Sequence, residues 1–566
     1  MNNSNYKRTI VTSALPYING VKHLGNFIGS LLPADIYARY LRQKGEDVIF
    51  ICGTDEHGAP AEIAAEKEGV PVEEYCDRLY QIQKDVYEKF NLSFDYFGRS
   101  SSQANHHLTQ DIFSKLYKNG HIAEHSITQL YDELNNRFLP DRFVEGTCPH
   151  CGYFPARGDQ CDGCTKLLDA IELVNPKSTV SGSTALVPKE SRQLFICLPH
   201  FEKELREWIT VQKNWPKITV SIAKKWLQEG LKDRCITRDL KWGISVPLKG
   251  FEDKVFYVWF DAPNAYISIT KDWAREKGDE NLWKKYWQNK DSRLVQFLGK
   301  DNVPFHTIIW PSIIIGSGRE YNLARFIKGF EYLNYERGKF STSQKRGIFL
   351  DDAIAEFPAD YWRYYLVTII PERSDSDFSW DGFQQGVENL ANSLGNFIHR
   401  TLTFINRYYD GEIPKKILDR DVDIKLWQTV KELADTCDTE LSKCNFQTWV
   451  GALRELWANC DRYFSAQAPW DTRNTSPDDA ATTLYHAAKL CRVVSILSLP
   501  LIPESAKQIF RQLNISGETE TLSWRKLFSD FEAGHKISSE ISPLFEKIED
   551  GYIQSLKEKY GSTNKK

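Results

Sequence analysis

Methionine is nearly missing from this sequence, in which Met1 is the only one among 566 residues. Leucine, isoleucine and phenylalanine can occupy the packing positions that methionine usually fills, so its scarcity excludes no fold class. Long hydrophobic runs are missing as well. The longest apolar stretches, Ile308–Ile315 and Val493–Ile502, are shorter than the roughly 20 residues that a membrane-spanning helix needs. We therefore expect no membrane-spanning segment and no membrane partner.

No single sign of charge dominates the chain. The net charge is −4, and 26% of the residues are charged, as in ordinary soluble globular proteins. A global basic field is thus excluded, and contact with nucleic acid would need a local patch. Residues 1–8 contain no apolar core of a signal peptide, and most of the 12 cysteines are scattered, which argues against a disulfide framework. We predict a cytoplasmic protein of roughly three or four domains.

The first stretch that points to chemistry is Ala14–Asn26. It follows a β-branched run, Arg8–Thr12, that predicts a buried strand, and it leads into a helical pattern. A strand that turns and then opens a helix directs backbone N–H groups and the positive end of the helix dipole outward, where an anion can bind. Gly25 allows close approach, and His23 and Asn26 can donate hydrogen bonds. The pattern favours a phosphate site, although an ordinary strand-turn-helix corner would also fit it.

A second apolar run, Asp47–Cys52, predicts a strand that is buried on both faces. It ends in the polar cluster Gly53–Gly58. The carboxyl ends of parallel strands are where open α/β sheets bind ligands. We therefore predict that Asp55 and His57 belong to a site at the same sheet edge as the first motif, although turn or capping roles would suit the same residues.

Four cysteines form two CxxC pairs with nine residues between them: Cys148, Cys151, Cys161 and Cys164. This spacing suits a tetrahedral site in which each pair holds one side of the metal. All four coordination positions would be filled, so the metal is predicted to be structural. The spacing does not separate zinc from iron, but no redox partner is evident, which favours zinc.

Strand patterns return after the cysteines, at Lys254–Pro263 and Arg293–Leu298, and we also assign Thr307–Ile315 to a buried strand. Their return predicts one parallel sheet that is interrupted by an inserted module. Trp259 and Tyr266 lie at or just beyond a strand end. They would either pack in the core or line an apolar ligand pocket.

The rest of the chain changes character twice. The loop Gly338–Gly347 is basic and hydroxylic, which suits either a solvated loop or one that wraps a polyphosphate. From about residue 386 helical periodicity replaces strand patterns. Arg400 and Trp470 lie in this helical part, which could be a scaffold, a dimer module or an RNA reader whose aromatic ring stacks on a base.

Together these motifs make the chain resemble the methionyl-tRNA synthetases, a family of class I aminoacyl-tRNA synthetases, over nearly its full length. Residues His23–Asn26 resemble the first class signature, His-x-Gly-His, and Lys339–Ser343 resemble the second, Lys-Met-Ser-Lys-Ser. Five further motifs occur in the family's order: Ala14–Tyr17, Gly53–Gly58, the paired CxxC sequences, Trp259–Pro263 with Tyr266, and Gln467–Trp470.

The resemblance implies a fold and a reaction. The fold would be a Rossmann-like parallel-sheet catalytic domain with a zinc-knuckle insertion, followed by an α-helical anticodon-binding domain. The reaction would join L-methionine to ATP, giving methionyl-adenylate and pyrophosphate, and then transfer methionine to the 3′ end of tRNA(Met). The implied domains are 1–120 and 236–330 (the two catalytic halves), 121–235 (the connective insertion with the cysteines), 331–385 (the stem-contact region with the second signature) and 386–566 (the anticodon-binding domain).

The resemblance also implies site residues, carried over position by position. The ATP-binding residues would be His23, Gly25, Asn26, Gly299, Asp301, Lys339, Thr342, Lys345 and Arg346, of which His23, Asn26, Lys339 and Lys345 would be catalytic. The methionine-binding residues would be Leu15, Tyr17, Asp55, Trp259, Ala262, Pro263, Tyr266 and His306. The anticodon-binding residues would be Asn396, Arg400 and Trp470. Mg²⁺ would accompany ATP, and we expect a monomer.

Two positions depart from the family signatures. Asn26 replaces a histidine and cannot become cationic, and Thr342 replaces a catalytic lysine, a role that Lys345 could take over. The departures leave open a catalytically weak or inactive tRNA-binding homologue. A valine, isoleucine or leucine enzyme would usually need a longer editing insertion than residues 121–253 offer. A cysteine enzyme would normally leave its zinc open to substrate, whereas four cysteines fill this site.

Overall fold

The computed structural model describes residues 6–158, 161, 163, 164, 166, 168–340, 346–515 and 524–560. Its strands are β1 (Arg8–Ser13), β2 (Asp47–Thr54), β3 (Tyr96–Arg99), β4 (Ile122–Asp132), β5 (Arg137–Phe138), β6 (Val144–Thr147), β7 (Ala156–Arg157), β8 (Val174–Ser178), β9 (Leu186–Ile196), β10 (Arg234–Cys235), β11 (Thr237–Arg238), β12 (Val255–Phe256), β13 (Ser292–Gly299), β14 (Ala324–Phe330), β15 (Leu333–Tyr335), β16 (Gly338–Lys339) and β17 (Ser376–Phe378).

The α-helices of seven or more residues are Leu32–Gln43, Ala59–Glu68, Val72–Lys89, Gln103–Lys118, Glu202–Thr210, Lys217–Glu229, Ala265–Glu276, Trp310–Gly316, Leu350–Glu356, Ala359–Thr368, Trp380–Leu390, Asn396–Tyr408, Asp421–Ser442, Phe446–Gln467, Pro469–Thr475, Pro477–Ser498, Pro503–Gln512 and Asp550–Tyr560. None of the described helices is both long enough and apolar enough to cross a membrane.

The central sheet is parallel and has the strand order β14-β13-β1-β2-β3. Its strands are apolar and almost entirely buried, as expected for a sheet covered on both faces. The chain runs outward from β1 through β2 and β3, and then returns to β13 on the other side of β1. Strand order therefore reverses between β1 and β13, which creates a crevice at the carboxyl ends of these strands.

The interruption of this sheet agrees with the sequence prediction. Between β3 and β13 the chain builds a long antiparallel pair, β4 with β9, and a small sheet of the order β7-β6-β8. The four cysteines lie in this inserted segment. The predicted domain boundaries themselves stay predictions.

The prediction of a strand at Thr307–Ile315 is wrong. Residues Phe305–Ile309 form a π-helical turn that continues into the α-helix Trp310–Gly316. A fully buried helix of this length has the same unbroken apolar pattern as a buried strand, so periodicity could not separate them. The Lys254–Pro263 run is also only partly extended, because β12 gives way to a helical turn at Val258–Asp261.

After β17 the described residues form α-helices joined by loops, with no further β-strand among them, as predicted. Arg363, on the helix Ala359–Thr368, connects this part to the central sheet. Its fully buried guanidinium donates hydrogen bonds to Asp35 Oδ2 (2.6 Å), Leu501 O (2.9 Å) and Pro500 O (2.9 Å). One side chain thus joins the helix after β1 to the C-terminal helices.

Candidate active site

Two strand ends meet through their backbones at the crevice. The N–H of Asp55, after β2, donates to Pro16 O, and the N–H of Ile18 donates to Asp55 O, both at 2.9 Å. The turn after β1 and the polar cluster after β2 therefore form one surface. Gly299 is the last residue of the neighbouring β13, and Asp301 follows it. A Cβ on Gly299 would lie 2.7 Å from Asp301 Oδ1, so the glycine leaves room for that carboxylate.

Asp55 is a buried carboxylate with an unfilled hydrogen-bonding position. Only 3% of the residue is exposed, and Oδ1 has no partner among the described residues. Burial, together with the nearby Asp261 and Glu56, raises the pKa of Asp55 well above its usual range, and Lys22 opposes that shift. A cation that bound at Oδ1 would therefore stabilise the ionised form.

His57 lies beneath the helical turn that carries Trp259. Its ring is buried, and Nδ1 lies 2.6 Å from Asp261 Oδ2. Trp242 packs against the same imidazole, with the ring centroids 5.3 Å apart. These contacts give His57 a positioning role, since the His57–Asp261 pair joins the Asp55 segment to the Trp259 turn.

The residues predicted to bind methionine come together in one apolar and aromatic cluster. Trp259 meets Tyr17 edge to face, with centroids 6.2 Å apart, and stacks on Phe305 at 3.7 Å. Ala262 and Pro263 are buried in the turn that follows Trp259. Phe305 was not singled out from the sequence; its position next to His306 is the only signal that could have drawn attention to it.

Tyr266 connects three parts of this cluster. Its hydroxyl donates to His306 Nε2 at 3.0 Å and lies near the backbone N–H of Leu15. Burial lowers the pKa of His306 to about 4. The imidazole is therefore neutral near pH 7, and Nδ1–H donates to Asn302 O at 2.9 Å, which leaves Nε2 as the acceptor for Tyr266.

The first signature forms the start of a helix, as predicted. The Asn26 N–H donates to His23 Nδ1 (3.3 Å), and the His23 N–H donates to Asn26 Oδ1 (3.4 Å), a reciprocal capping box. Burial of the ring and the neighbouring Lys22 lower the pKa of His23 to about 3. A neutral imidazole can accept this hydrogen bond, so His23 and Asn26 hold each other in place at the helix start.

The second signature meets the first through Phe340, which stacks on His23 with the ring centroids 4.5 Å apart. Lys339 is exposed at the end of β16, whereas the Arg346 guanidinium donates to Tyr335 O at 3.3 Å. Thr342 and Lys345 lie outside the described residues. The structure therefore brings the described start of the predicted loop, at Phe340, to the crevice, and it bonds Arg346 to the protein backbone.

Lys22 is a buried cation that sequence reasoning missed. Only 6% of it is exposed, and its Nζ donates to Asn19 Oδ1 at 2.7 Å. Burial lowers the pKa of Lys22 to about 7, although Asp55 acts in the opposite direction. Its place directly before His23 was the available signal.

The four cysteines form a candidate metal centre. The sulfurs of Cys148 and Cys164 lie 3.9 Å apart, those of Cys151 and Cys161 lie 3.7 Å apart, and all four lie within 4.8 Å of one another. A tetrahedral centre with metal–sulfur bonds of about 2.3 Å needs sulfurs about 3.8 Å apart. The cluster could therefore hold a structural metal ion, as the spacing predicted.

The predicted anticodon residues share one surface. The Arg400 guanidinium lies 4.8 Å from the centroid of the Trp470 ring and 3.6 Å from an Asp461 carboxylate oxygen. Trp470 is 40% exposed, and Asn396 is exposed one turn before Arg400 on the same helix. A fixed cation, an open aromatic ring and an amide are thus available to a ligand.

Comparison with known proteins places this architecture in a family. Residues 9–402 match the family described as tRNA synthetases class I (M), and residues 413–565 match the anticodon binding domain of methionyl tRNA ligase. A methionine–tRNA ligase of Acaryochloris marina is 47% identical over 560 residues, which cover 98% of this chain and 100% of the relative. One of Streptomyces avermitilis is 45% identical over 570 residues, with 98% and 99% coverage.

A solved structure shows the same fold. The crystal structure of Mycobacterium tuberculosis methionyl-tRNA synthetase bound by methionyl-adenylate has a TM-score of 0.78 and 24% identity, and the match covers 95% of this chain and 100% of that one. The family matches together span nearly all of the chain, and the relatives match over their full length. The chain belongs to the methionine–tRNA ligase family of class I tRNA synthetases.

Proposed function

We propose that this protein is a methionine–tRNA ligase, which activates L-methionine with ATP and transfers it to the 3′ end of tRNA(Met). The observation that supports this most directly is the buried Oδ1 of Asp55, which has no hydrogen-bond partner among the described residues and lies beside the aromatic cluster, next to Tyr17. An α-amino acid has one ammonium group to pair with that oxygen. Such a charge pair is stronger in a half-dry crevice than in water.

The methionine side chain would enter the aromatic cluster. Tyr17, Trp259, Tyr266 and His306 would form its walls together with Leu15, Ala262 and Pro263. An unbranched thioether suits a slot of this kind, because sulfur makes favourable contacts with ring edges. The Tyr266–His306 hydrogen bond would fix the positions of these two side chains, so the width of the pocket would limit which amino-acid side chains can enter.

The ATP phosphates would bind at the start of the helix after β1. His23 and Asn26 would hold the α- and β-phosphates, with Gly25 allowing their close approach, while Lys339 and Lys345 would act on the β- and γ-phosphates, with Thr342 and Arg346 in the same loop. Gly299 and Asp301 would contact the ribose. The reaction needs an in-line approach of the carboxylate to the α-phosphorus and stabilisation of charge on the phosphoryl oxygens, which these residues would supply.

Two metals belong to the proposal. Zn²⁺ would be held by the four cysteines as a structural ion, since its tetrahedral geometry matches the sulfur separations. Mg²⁺ would arrive bound to ATP and add positive charge at the phosphates.

The tRNA would be read at the helical surface of Asn396, Arg400 and Trp470. A splayed anticodon base would stack on the exposed Trp470 ring, and the two polar side chains would meet base edges. The Arg400 guanidinium already lies over that ring, which prepares the surface for stacking.

Amino-acid-dependent ATP–pyrophosphate exchange tests the proposal. We expect exchange with methionine and no comparable exchange with valine, isoleucine, leucine or cysteine. Asp55→Asn, which keeps the shape of the side chain but removes its charge, should abolish most of it. Exchange with none of these amino acids would refute the proposal and favour an inactive tRNA-binding homologue.

The cellular location, the oligomeric state and the domain boundaries are also proposals. None of the 12 cysteines forms a disulfide, which supports a reducing, cytoplasmic location. A monomer would give about 65 kDa by light scattering, close to the 65.4 kDa of one chain. Limited proteolysis would test the boundaries near residues 120, 235, 330 and 385.

A further inference from the structure

Lys22 and Asp55 are opposite charges buried in the same crevice, yet they do not pair with each other. Lys22 Nζ has one partner among the described residues, the amide oxygen of Asn19. Asp55 Oδ1 has none in the same part of the chain. Burial without a carboxylate partner disfavours the charged form of Lys22 and lowers its pKa to about 7, whereas a bound anion would stabilise that charged form. This arrangement points to a ligand that carries both charges.

The backbone brings together the two segments that carry these groups. Asp55 is hydrogen-bonded to Pro16 and Ile18, and Asn19, which holds the Lys22 ammonium, follows directly. His23 comes next after Lys22 and caps the helix at the predicted phosphate site. Lys22 also acts electrostatically on both Asp55 and His23, so it lies near the carboxylate that would bind the amino group of methionine and near the helix start that would bind the ATP phosphates.

In methionyl-adenylate, the group between the amino group and the nucleotide is the acyl-phosphate linkage. We infer that the Lys22 ammonium binds the carboxylate of methionine and then the oxygens of the α-phosphate as that linkage forms. The inference rests on the proposed function and adds one catalytic residue to it. It also supplies a positive charge at the centre of the site, where Asn26 and Thr342 have replaced residues that could carry one.

Formation of the adenylate needs no proton transfer from Lys22. A carboxylate oxygen of methionine forms a bond to the α-phosphorus of ATP, and the bond from that phosphorus to the bridging oxygen of the β-phosphate breaks. Pyrophosphate leaves with the bonding electrons. Lys22 would stabilise the negative charge on the α-phosphoryl oxygens throughout, which is an electrostatic role.

Lys22→Met is the test variant, because its side chain fills a similar volume without the charge. Lys277→Met, at an exposed position after the helix Ala265–Glu276, is the matched control. We expect Lys22→Met to lower kcat for pyrophosphate exchange by roughly 10- to 100-fold, the range for losing one hydrogen bond to a charged group. The control should stay at the wild-type rate. Exchange by Lys22→Met at the wild-type rate would overturn the inference.

Binding without turnover separates a catalytic role from a structural one. L-methioninol, the amino alcohol that lacks the carboxylate, should bind wild type and Lys22→Met equally well, whereas L-methionine should bind the variant more weakly. Equal losses for both ligands, or loss of the folded state, would show that Lys22 only supports the crevice, and the inference would be wrong. If wild type itself lacks methionine-dependent exchange, the proposed function fails, but the comparison of the two ligands still reports on Lys22.

Discussion

The imidazole of His23 lies flat against the ring of Phe340, with the ring centroids 4.5 Å apart and the ring planes 10° apart. Two glycines make this contact possible. A Cβ on Gly25 would lie 3.0 Å from the imidazole, and one on Gly347, where φ is +102°, would lie 2.3 Å from the Phe340 ring. The two class signatures, far apart in the sequence, are therefore held together by one pair of rings.

Phe340→Leu should weaken catalysis without unfolding the protein. Leucine keeps an apolar side chain but loses the stacked ring, which is worth about 0.5–1.5 kcal/mol. Because the ring holds the described start of the second signature against the first, kcat for pyrophosphate exchange should fall roughly 2- to 10-fold. Phe404→Leu makes the same change on the helix Asn396–Tyr408 and should leave exchange unaffected. Equal rates in the two variants would contradict a positioning role for the stack.

Tyr266→Phe should damage methionine recognition selectively. The change removes the hydroxyl that donates to His306, and it leaves His306 Nε2 buried without that donor. Such a loss costs about 1–3 kcal/mol. We expect KM for methionine to rise roughly 5- to 100-fold and KM for ATP to change little. A parallel rise in KM for methionine and KM for ATP would show that the hydroxyl supports the whole crevice and not only the aromatic cluster.

Acid should destabilise the folded protein partly through His306. Its folded pKa is about 4 and its unfolded pKa is 6.5, so the unfolded state binds more protons between these values, and the free energy of unfolding falls as pH falls through this window. The full stability is present above pH 6.5, and titration of His306 lowers the free energy of unfolding by roughly 3 kcal/mol at most once the pH is below 4.

Denaturant unfolding of wild type and His306→Gln at several pH values measures this contribution. The glutamine cannot titrate, so the stability advantage of wild type over the variant should shrink from pH 6.5 to pH 4. His125→Gln, at a side chain that is 51% exposed, controls for removing a histidine elsewhere. A pH-independent difference between wild type and His306→Gln would refute the assignment.

The sheet could be predicted from the sequence because its strands are buried on both faces. Runs such as Asp47–Cys52 are continuously apolar and short, and each ends in a polar cluster. The same criterion misassigned Thr307–Ile315, since a helix that is buried all round has no polar face to reveal its period. Apolar continuity reports burial, and only length and flanking residues separate strand from helix.

The site was predictable where its residues belong to motifs, and not where it depends on tertiary pairing. Asp55 and Tyr17 were both named from the sequence, and the backbone pairing at Pro16 and Ile18 explains why they meet. The Trp259–Phe305 stack joins a motif residue to one that was not singled out from the sequence, and Lys22 was also missed although it lies inside the first motif. The roles of Phe305 and Lys22 depend on which distant segments the fold brings to the crevice. Local sequence patterns do not show these contacts.

Removal of one cysteine should release the metal. Cys164→Ser should lower the bound zinc, measured by elemental analysis, from about one per chain to well below one, and should lower Tm, because a structural metal stabilises the fold that holds it. Cys235→Ser, outside the cluster, should keep both values. Iron in place of zinc in the wild-type protein would correct the identity of the metal, and no metal at all would refute the site.

Trp470→Ala should separate tRNA charging from amino-acid activation. The ring is exposed and lies beneath the Arg400 guanidinium, on a helical surface that contains neither signature. Stacking of a base on an aromatic ring is worth about 1–3 kcal/mol, so kcat/KM for tRNA aminoacylation should fall roughly 5- to 100-fold. Pyrophosphate exchange should be unchanged, since the adenylate forms without tRNA. Trp470→Phe keeps an aromatic face and should recover most of the charging activity. Equal charging by the alanine and phenylalanine variants would mean that the ring only supports the helix, and the anticodon would then have to be read at another surface.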